Sequence, residues 1–307
     1  VWAAMFSVGS AAGPIIGGAL LEHFHWGSVF LINLPVVAVL VLGGLVFLPE
    51  SRNPEPGRFD VPGAALSVVS IVPGVWAVKS VAESGGLSVQ AVIAFLVATL
   101  AAVAFFWQMR TAASPLLDLA LFGNRDFRVI VVVNALSMFM LIGLLFVLSQ
   151  FLQGASGISP LQAGLLLLPG LVGSAIASLG VGFFATRFRP GRVVALGMAL
   201  SGVGAGLFAI AEASQPWLVA LAFAILGIGL GIVDPVTNDI IVGSVPPERT
   251  GAASAISEVG YELGGAMGTA VLGSVLVAIY SRDIISWLAG NDAPTGVDVT
   301  PATHTIG

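Results

Sequence analysis

Cysteine is absent from this 307-residue chain, charge is scarce, and only three histidines occur. Without cysteine there is no disulfide, no thiolate metal site and no cysteine nucleophile. His23, His25 and His304 lie outside the long apolar runs and in no metal-binding or hydrolase motif. Asp, Glu, Lys and Arg make up 9% of the residues, where a soluble domain carries about 25%. In their place stand 57% hydrophobic residues and a mean hydropathy of +1.03. That balance puts the chain in a lipid bilayer as an all-α integral membrane protein. The net charge of −5 identifies no partner, because the placement of the charges matters more than their sum. Residue 1 is Val and apolar sequence starts at once, with no basic region and cleavage site, so no signal peptide is read. A fragment beginning inside a membrane helix is the expectation.

Nine spans can be drawn: 1–21, 26–48, 61–82, 89–107, 127–152, 161–185, 193–211, 217–242 and 250–280. Each is long enough for about 30 Å of hydrocarbon at about 1.5 Å per residue. The loops alternate in charge. Those after even-numbered spans hold Arg52, Arg58, Arg110, Arg125, Arg128, Arg187, Arg189, Arg192 and Arg249, nine of the eleven Lys and Arg residues. The positive-inside rule makes these loops cytoplasmic and runs the first span from inside to outside. Two cytoplasmic stretches read as joints. Residues 49–60 are polar and rich in Pro and Gly, as in a linker. Residues 115–122 form a short amphipathic piece expected along the membrane surface.

The first span contains Gly9-Ser-Ala-Ala-Gly13-Pro14-Ile-Ile-Gly17-Gly18. Gly9, Gly13 and Gly17 share one helix face and would let a neighbouring backbone come close. Pro14 removes a helical hydrogen bond and predicts a bend. Gly260, Gly264 and Gly268 repeat the four-residue spacing in the ninth span.

The Gly-Pro-x-x-Gly-Gly helix resembles the antiporter motif of drug:proton exporters of the major facilitator superfamily. Trp26-Gly-Ser-Val-Phe30-Leu-Ile-Asn33-Leu-Pro35 is similar to the start of the helix after that motif. Phe151-Leu152-Gln153 and Gly157 to Gly164, with Pro169 beyond, resemble the external loop and next helix of the fourteen-helix branch. Gly182 to Arg192, including Arg187, resembles the basic cytoplasmic turn of the second half, and Thr250 to Gly268 resembles the penultimate helix. Two positions depart from the pattern: Gly27 stands where the family usually has Arg, and Thr186 where it has an acid.

The resemblance implies a helical bundle with four helices missing before Val1 and one after Gly307. Residues 1–48 would be the last two helices of the N-terminal bundle, 49–108 a linker plus the extra central pair, and 109–307 the C-terminal bundle without its last helix. It implies a gating role for Gly9, Gly13, Pro14, Gly17 and Gly18. It also implies a multi-pass cell-membrane protein whose partners are lipid, a small-molecule substrate and protons. No cofactor beyond the proton gradient, no metal, no catalytic residue and no nucleic acid are expected, and a monomer is.

Glu258 and Glu262 lie one helical turn apart in the ninth span. Glu262, about 18 Å from the cytoplasmic end, is close to the midplane. A carboxyl there is costly unless protonated, paired or wet, which suits proton coupling. The structural alternative is a protonated Glu bonding another helix. Asp234, before Pro235, is a further proton-coupling candidate or else part of a half-solvated helix end. Asn134, Met138, Phe139, Gln150 and Gln153 could line an adaptable pocket or simply pack. Lys79 and Glu83 form an i,i+4 pair in which Lys79 is expected to snorkel, and His23-x-His25 lacks a third metal ligand. The best reading is a proton-coupled drug exporter. A symporter or uniporter for a metabolite, and a non-transporting membrane sensor or scaffold, stay open.

Overall fold

The computed structural model describes residues 2–47, 60–84, 87–112, 115–117, 119–185, 187–211, 215–246 and 250–290, with backbone alone at 2–8, 10, 11, 14, 82–84, 155 and 284–290. Most of the 49–60 linker, Arg52, Arg58, Thr186, Arg249 and His304 lie outside the described residues.

Apolar runs that must satisfy every backbone polar group internally become helices. They are α1 (Trp2–His23), α2 (Ser28–Leu31), α3 (Asn33–Phe47), α4 (Val61–Ser84), α5 (Val89–Thr111), α6 (Arg125–Gln150), α7 (Pro160–Ala185), α8 (Pro190–Phe208), α9 (Pro216–Gly243) and α10 (Thr250–Gly290). Starts are set by local chemistry. The Ser88 hydroxyl accepts from Ala91 N–H at 3.1 Å, Asn124 accepts from Asp126 N–H at 2.9 Å, and Pro opens α8 and α9. Eight helical stretches, α2–α3 counted as one, are long and apolar enough to cross a membrane among the described residues. Residues 2–23, the first of the nine expected spans, form a 22-residue helix.

The hub is α9, which packs along α7 and α8 and also meets α6 and α10. Small residues permit this. A Cβ at Gly227 would strike the Gly170 carbonyl of α7, and one at Gly231 the Ser174 carbonyl. On the α8 side, a Cβ at Gly197 would fall 2.7 Å from the Gly229 carbonyl oxygen. A core of Leu167, Leu171, Phe223, Leu226 and Leu230 fills the seam. The second strong pairing is α6 with α10. There Gly264 and Gly268 meet the carbonyls of Ala135 and Phe139, so the expected stripe on the ninth span is a real close approach.

The α4–α5 hairpin leans on α10, and α1 leans on α7. No residue of α3 is buried, and its Leu40 and Leu45 are exposed, as lipid-facing positions are. The piece expected along the membrane surface is held to the bundle through Leu117, Leu121 and Phe122. Leu121 is buried with Phe127, Ile130, Ile241, Ala253 and Ile256, and Phe122 meets Phe127 edge to face. Leu121 thus seats under the ends of α6, α9 and α10. At the same end Asp60 caps α4, its Oδ1 accepting from Gly63 N–H at 2.9 Å and from the Gln108 amide at 3.0 Å. The Gly63 bond, helped by Gln108, holds the Asp60 carboxyl below its ordinary pKa despite the burial of the residue.

Candidate functional site

Polar side chains of α6, α9 and α10 meet at one depth. Asn134 is nine residues into α6, Asp234 nine before the end of α9, and Ser257 seven into α10. All lie about 10–14 Å from the arginine-bearing end of the bundle. Asn134, Thr237 and Ser257 are buried. The Asn134 amide donates to Ser257 Oγ at 2.8 Å, and the Thr237 hydroxyl donates to Asn134 Oδ1 at 3.5 Å. Thr237 also bonds the Asp234 carbonyl at 2.9 Å, and Ser257 donates to Asn238 Oδ1 at 3.3 Å. Asp234 Oδ1 is buried with no hydrogen-bond partner. Tyr261, also buried, stands within electrostatic reach of both Asp234 and Glu258. A buried carboxyl oxygen without a partner is expensive in its charged form, so the arrangement suits a group that exchanges a proton with the side it is opened to.

The other two candidate acids sit differently. Glu258 and Glu262 are exposed, on a stripe of α10 that continues to Ala266. The buried side of α10, carrying Ile256, Ser257, Tyr261 and Gly264, is the one turned inward. Glu262 is therefore not enclosed within the described chain; of the three candidate acids, Asp234, half-buried, is the one with a carboxyl oxygen shut off from solvent.

Among the described residues the five pocket candidates are placed in different surroundings. Asn134 is tied into the polar network, and Met138 is buried in the α6–α7–α9 core. Phe139 is half-buried and lends its carbonyl to the Gly268 contact. Gln150 borders a cavity of ≈ 560 Å³ with Lys79 and Thr269. Gln153, bonded to Ser149 at 2.8 Å, lines another of ≈ 400 Å³ with Gly17, Gly18, Leu145 and Leu167. That second cavity, in the outer half where α1, α6, α7 and α10 converge, brings together two groups that are far apart in sequence.

In the motif of α1 the close approach falls on one glycine. A Cβ at Gly18 would lie 2.8 Å from the Leu161 backbone, whereas Gly9, Gly13 and Gly17 have nothing within 4 Å. Of the stripe expected to pack, Gly9 and Gly13 are exposed, and Gly17 borders the second cavity without a close contact. The helix continues unbroken through position 14, and the Pro14 side chain lies outside the described residues. A hydrogen bond from the Ser159 hydroxyl to Glu22 adds a second tie between α1 and the start of α7. Arg187 and Arg192 are exposed at the turn between α7 and α8. His23 bonds the Ala19 carbonyl and His25 accepts from Gly27 N–H, and no metal-binding cluster occurs among the described residues.

Ser257, Thr237 and Tyr261 were not singled out by sequence. The usable signal was their depth: polar residues at equal distance from the basic end on three apolar helices.

A sequence profile of the Major Facilitator Superfamily matches residues 1–154 and again 129–290. The chain belongs to the major facilitator superfamily. This is a family of membrane transporters rather than enzymes, and the all-helical, many-span architecture is that of the family. The chain is 43% identical over 298 residues to the multidrug efflux pump LfrA of Mycolicibacterium smegmatis, covering 97% of this chain and 58% of that protein. It is 32% identical to the multidrug resistance protein Stp of Mycobacterium tuberculosis, over 92% of this chain and 53% of that one. It is 34% identical to the tetracenomycin C resistance and export protein of Streptomyces glaucescens, over 95% and 55%. The chain thus spans a little over half the length of these relatives.

Proposed function

We propose that this protein works in a proton-driven exporter of small lipophilic drugs or toxic metabolites, of the fourteen-helix branch, in the cell membrane. The observation that carries the reading is Asp234, with a buried, unpartnered carboxyl oxygen inside a membrane-spanning helix of a transporter family. The efflux and resistance relatives support the substrate class. The α4–α5 hairpin, inserted between α3 and α6, supports the branch with an extra central pair.

In this reading the substrate enters the cavity between α1, α6, α7 and α10. Its walls are mostly apolar, with Ser149, Gln153 and Thr269 as orienting groups. The Gly18 contact with α7 is the moving seam, tight enough to seal and narrow enough to slide. Asp234 takes a proton when the site opens outward. The neutral acid permits the inward-facing state, where water draws the proton off and substrate binds. Glu258 and Glu262 carry protons between Asp234 and the open face of α10. Each ligand shifts the equilibrium only by its differential affinity for the two states. No cofactor and no nucleic acid take part, and the unit is a monomer.

The test is flux of lipophilic cations and neutral drugs from vesicles containing the full-length protein, with and without an imposed pH gradient. An antiporter gives flux that follows the gradient. Flux indifferent to the gradient, or none, sinks the proposal.

A further inference from the structure

Helices α7 and α8 both pack along α9 but barely meet each other. They leave a crevice of ≈ 490 Å³ at the arginine-bearing end, walled by Ile176, Gly180 and Phe184 of α7 and Leu196 of α8, with Ile232 of α9 as floor. Ile176, Phe184 and Leu196 are each more than half exposed, so the trough opens outward. Its one charged lining residue is Arg192. Arg187 stands nearby, its guanidinium 4.9 Å from the Phe183 ring centroid, and Arg189 precedes the first turn of α8. The sequence from 127 to 211 contains no Asp or Glu. Among the described residues none of these three arginines is in an ion pair.

We propose that this crevice binds an anionic phospholipid from the surrounding bilayer, with an acyl chain between Ile176, Gly180, Phe184 and Leu196 and the phosphate on Arg192, Arg187 and Arg189. The complementarity is in two parts. An apolar trough that opens sideways toward lipid fits a hydrocarbon chain and offers nothing to a soluble anion. Three uncompensated cations where the trough meets the interface fit a phosphate and offer little to a zwitterionic headgroup. Basic residues at a membrane surface gain most from anionic lipid, and the positive-inside rule puts this end on the leaflet richer in it. The N-terminal end of α8 adds its partial positive charge at the same place. Such a lipid would bridge α7 and α8, which the protein itself leaves apart. The inference stands independently of the transport reading.

The test is lipid titration of the detergent-purified protein by native mass spectrometry, with dioleoyl phosphatidylglycerol, dioleoyl phosphatidylcholine and glycerol 3-phosphate as separate probes. The expected result is one saturable phosphatidylglycerol site, at least about fivefold tighter than for phosphatidylcholine, with no displacement by glycerol 3-phosphate. Arg192→Gln should weaken it about fivefold, the factor expected for one surface arginine. Gly180→Leu should abolish it by filling the trough; a Cβ there meets nothing within 4 Å, so the fold is not strained. Leu196→Trp on the opposite wall is the second blocking variant. Arg110→Gln, at the same end but outside the crevice, should bind as the parent does. Equal affinity for the two lipids, equal loss with Arg110→Gln, displacement by glycerol phosphate, or full binding by both blocked variants would overturn the proposal.

Discussion

Replacing Asn134 by Leu tests the polar network that joins α6, α9 and α10. The side chain is fully buried, and its strongest bond is the 2.8 Å contact with Ser257 Oγ. Interhelical hydrogen bonds in membrane proteins average about 0.6 kcal/mol and reach about 1.7 kcal/mol. The bonds to the Ser257 carbonyl at 3.4 Å and from Thr237 at 3.5 Å are near the limit of the interaction and add less. Ser257 retains Asn238 and Thr237 retains the Asp234 carbonyl, so removal of Asn134 strands no hydroxyl. The loss should therefore be about 1–2 kcal/mol, not the larger cost of leaving buried groups unpaired. The assay is denaturant unfolding in mixed micelles followed by helical circular dichroism, in a cycle with Ser257→Ala. A coupling of about 1 kcal/mol between the two sites is expected. Strict additivity, or a cost above about 4 kcal/mol for Asn134→Leu, would refute the reasoning.

Gly227→Ala should destabilise the chain by about 1–3 kcal/mol, because the new methyl meets the Gly170 backbone. Gly13→Ala, with open space around it, should leave unfolding unchanged or slightly harder; the same micelle assay reads both. Leu121→Ala should cost about 2–5 kcal/mol if residues 115–122 are packed under the bundle, and almost nothing if they lie on the lipid surface. Asp60 has a depressed folded-state pKa, so its stabilising contribution is complete above the unfolded value of 3.8 and is lost as pH falls through the folded value. Amide exchange at Gly63, corrected for intrinsic rate, should thus be flat from neutral pH to about pH 5 and quicken at lower pH. Asp60→Asn should remove that dependence.

The spans and the alternation of charge were readable because both rest on one-dimensional quantities, hydropathy and loop position. Depth was readable too: Asp234 and Ser257 are level because a helix rises evenly. What periodicity did not yield was the azimuth of each helix. In a soluble protein the apolar face marks the core, but here lipid and neighbouring helices both want apolar side chains. The glycine stripes show the consequence. The same spacing marks a packed seam at Gly264 and Gly268 and an uncovered face at Gly9 and Gly13. Asn134, a pocket candidate that here bonds Ser257 and Thr237, illustrates the same point, since an amide in an apolar run points equally well at a ligand or at another helix. The packing of Leu121 and Phe122 on the bundle was not legible, because an amphipathic pattern is the same whether its apolar side meets lipid or protein.

The most direct measurement of the central claim is substrate flux in proteoliposomes containing the full-length protein or its Asp234→Asn variant, each with and without a pH gradient. Proton coupling through Asp234 predicts gradient-driven flux in the parent and flux in the variant that ignores the gradient while substrate still binds. Undiminished gradient-driven flux in Asp234→Asn would contradict it.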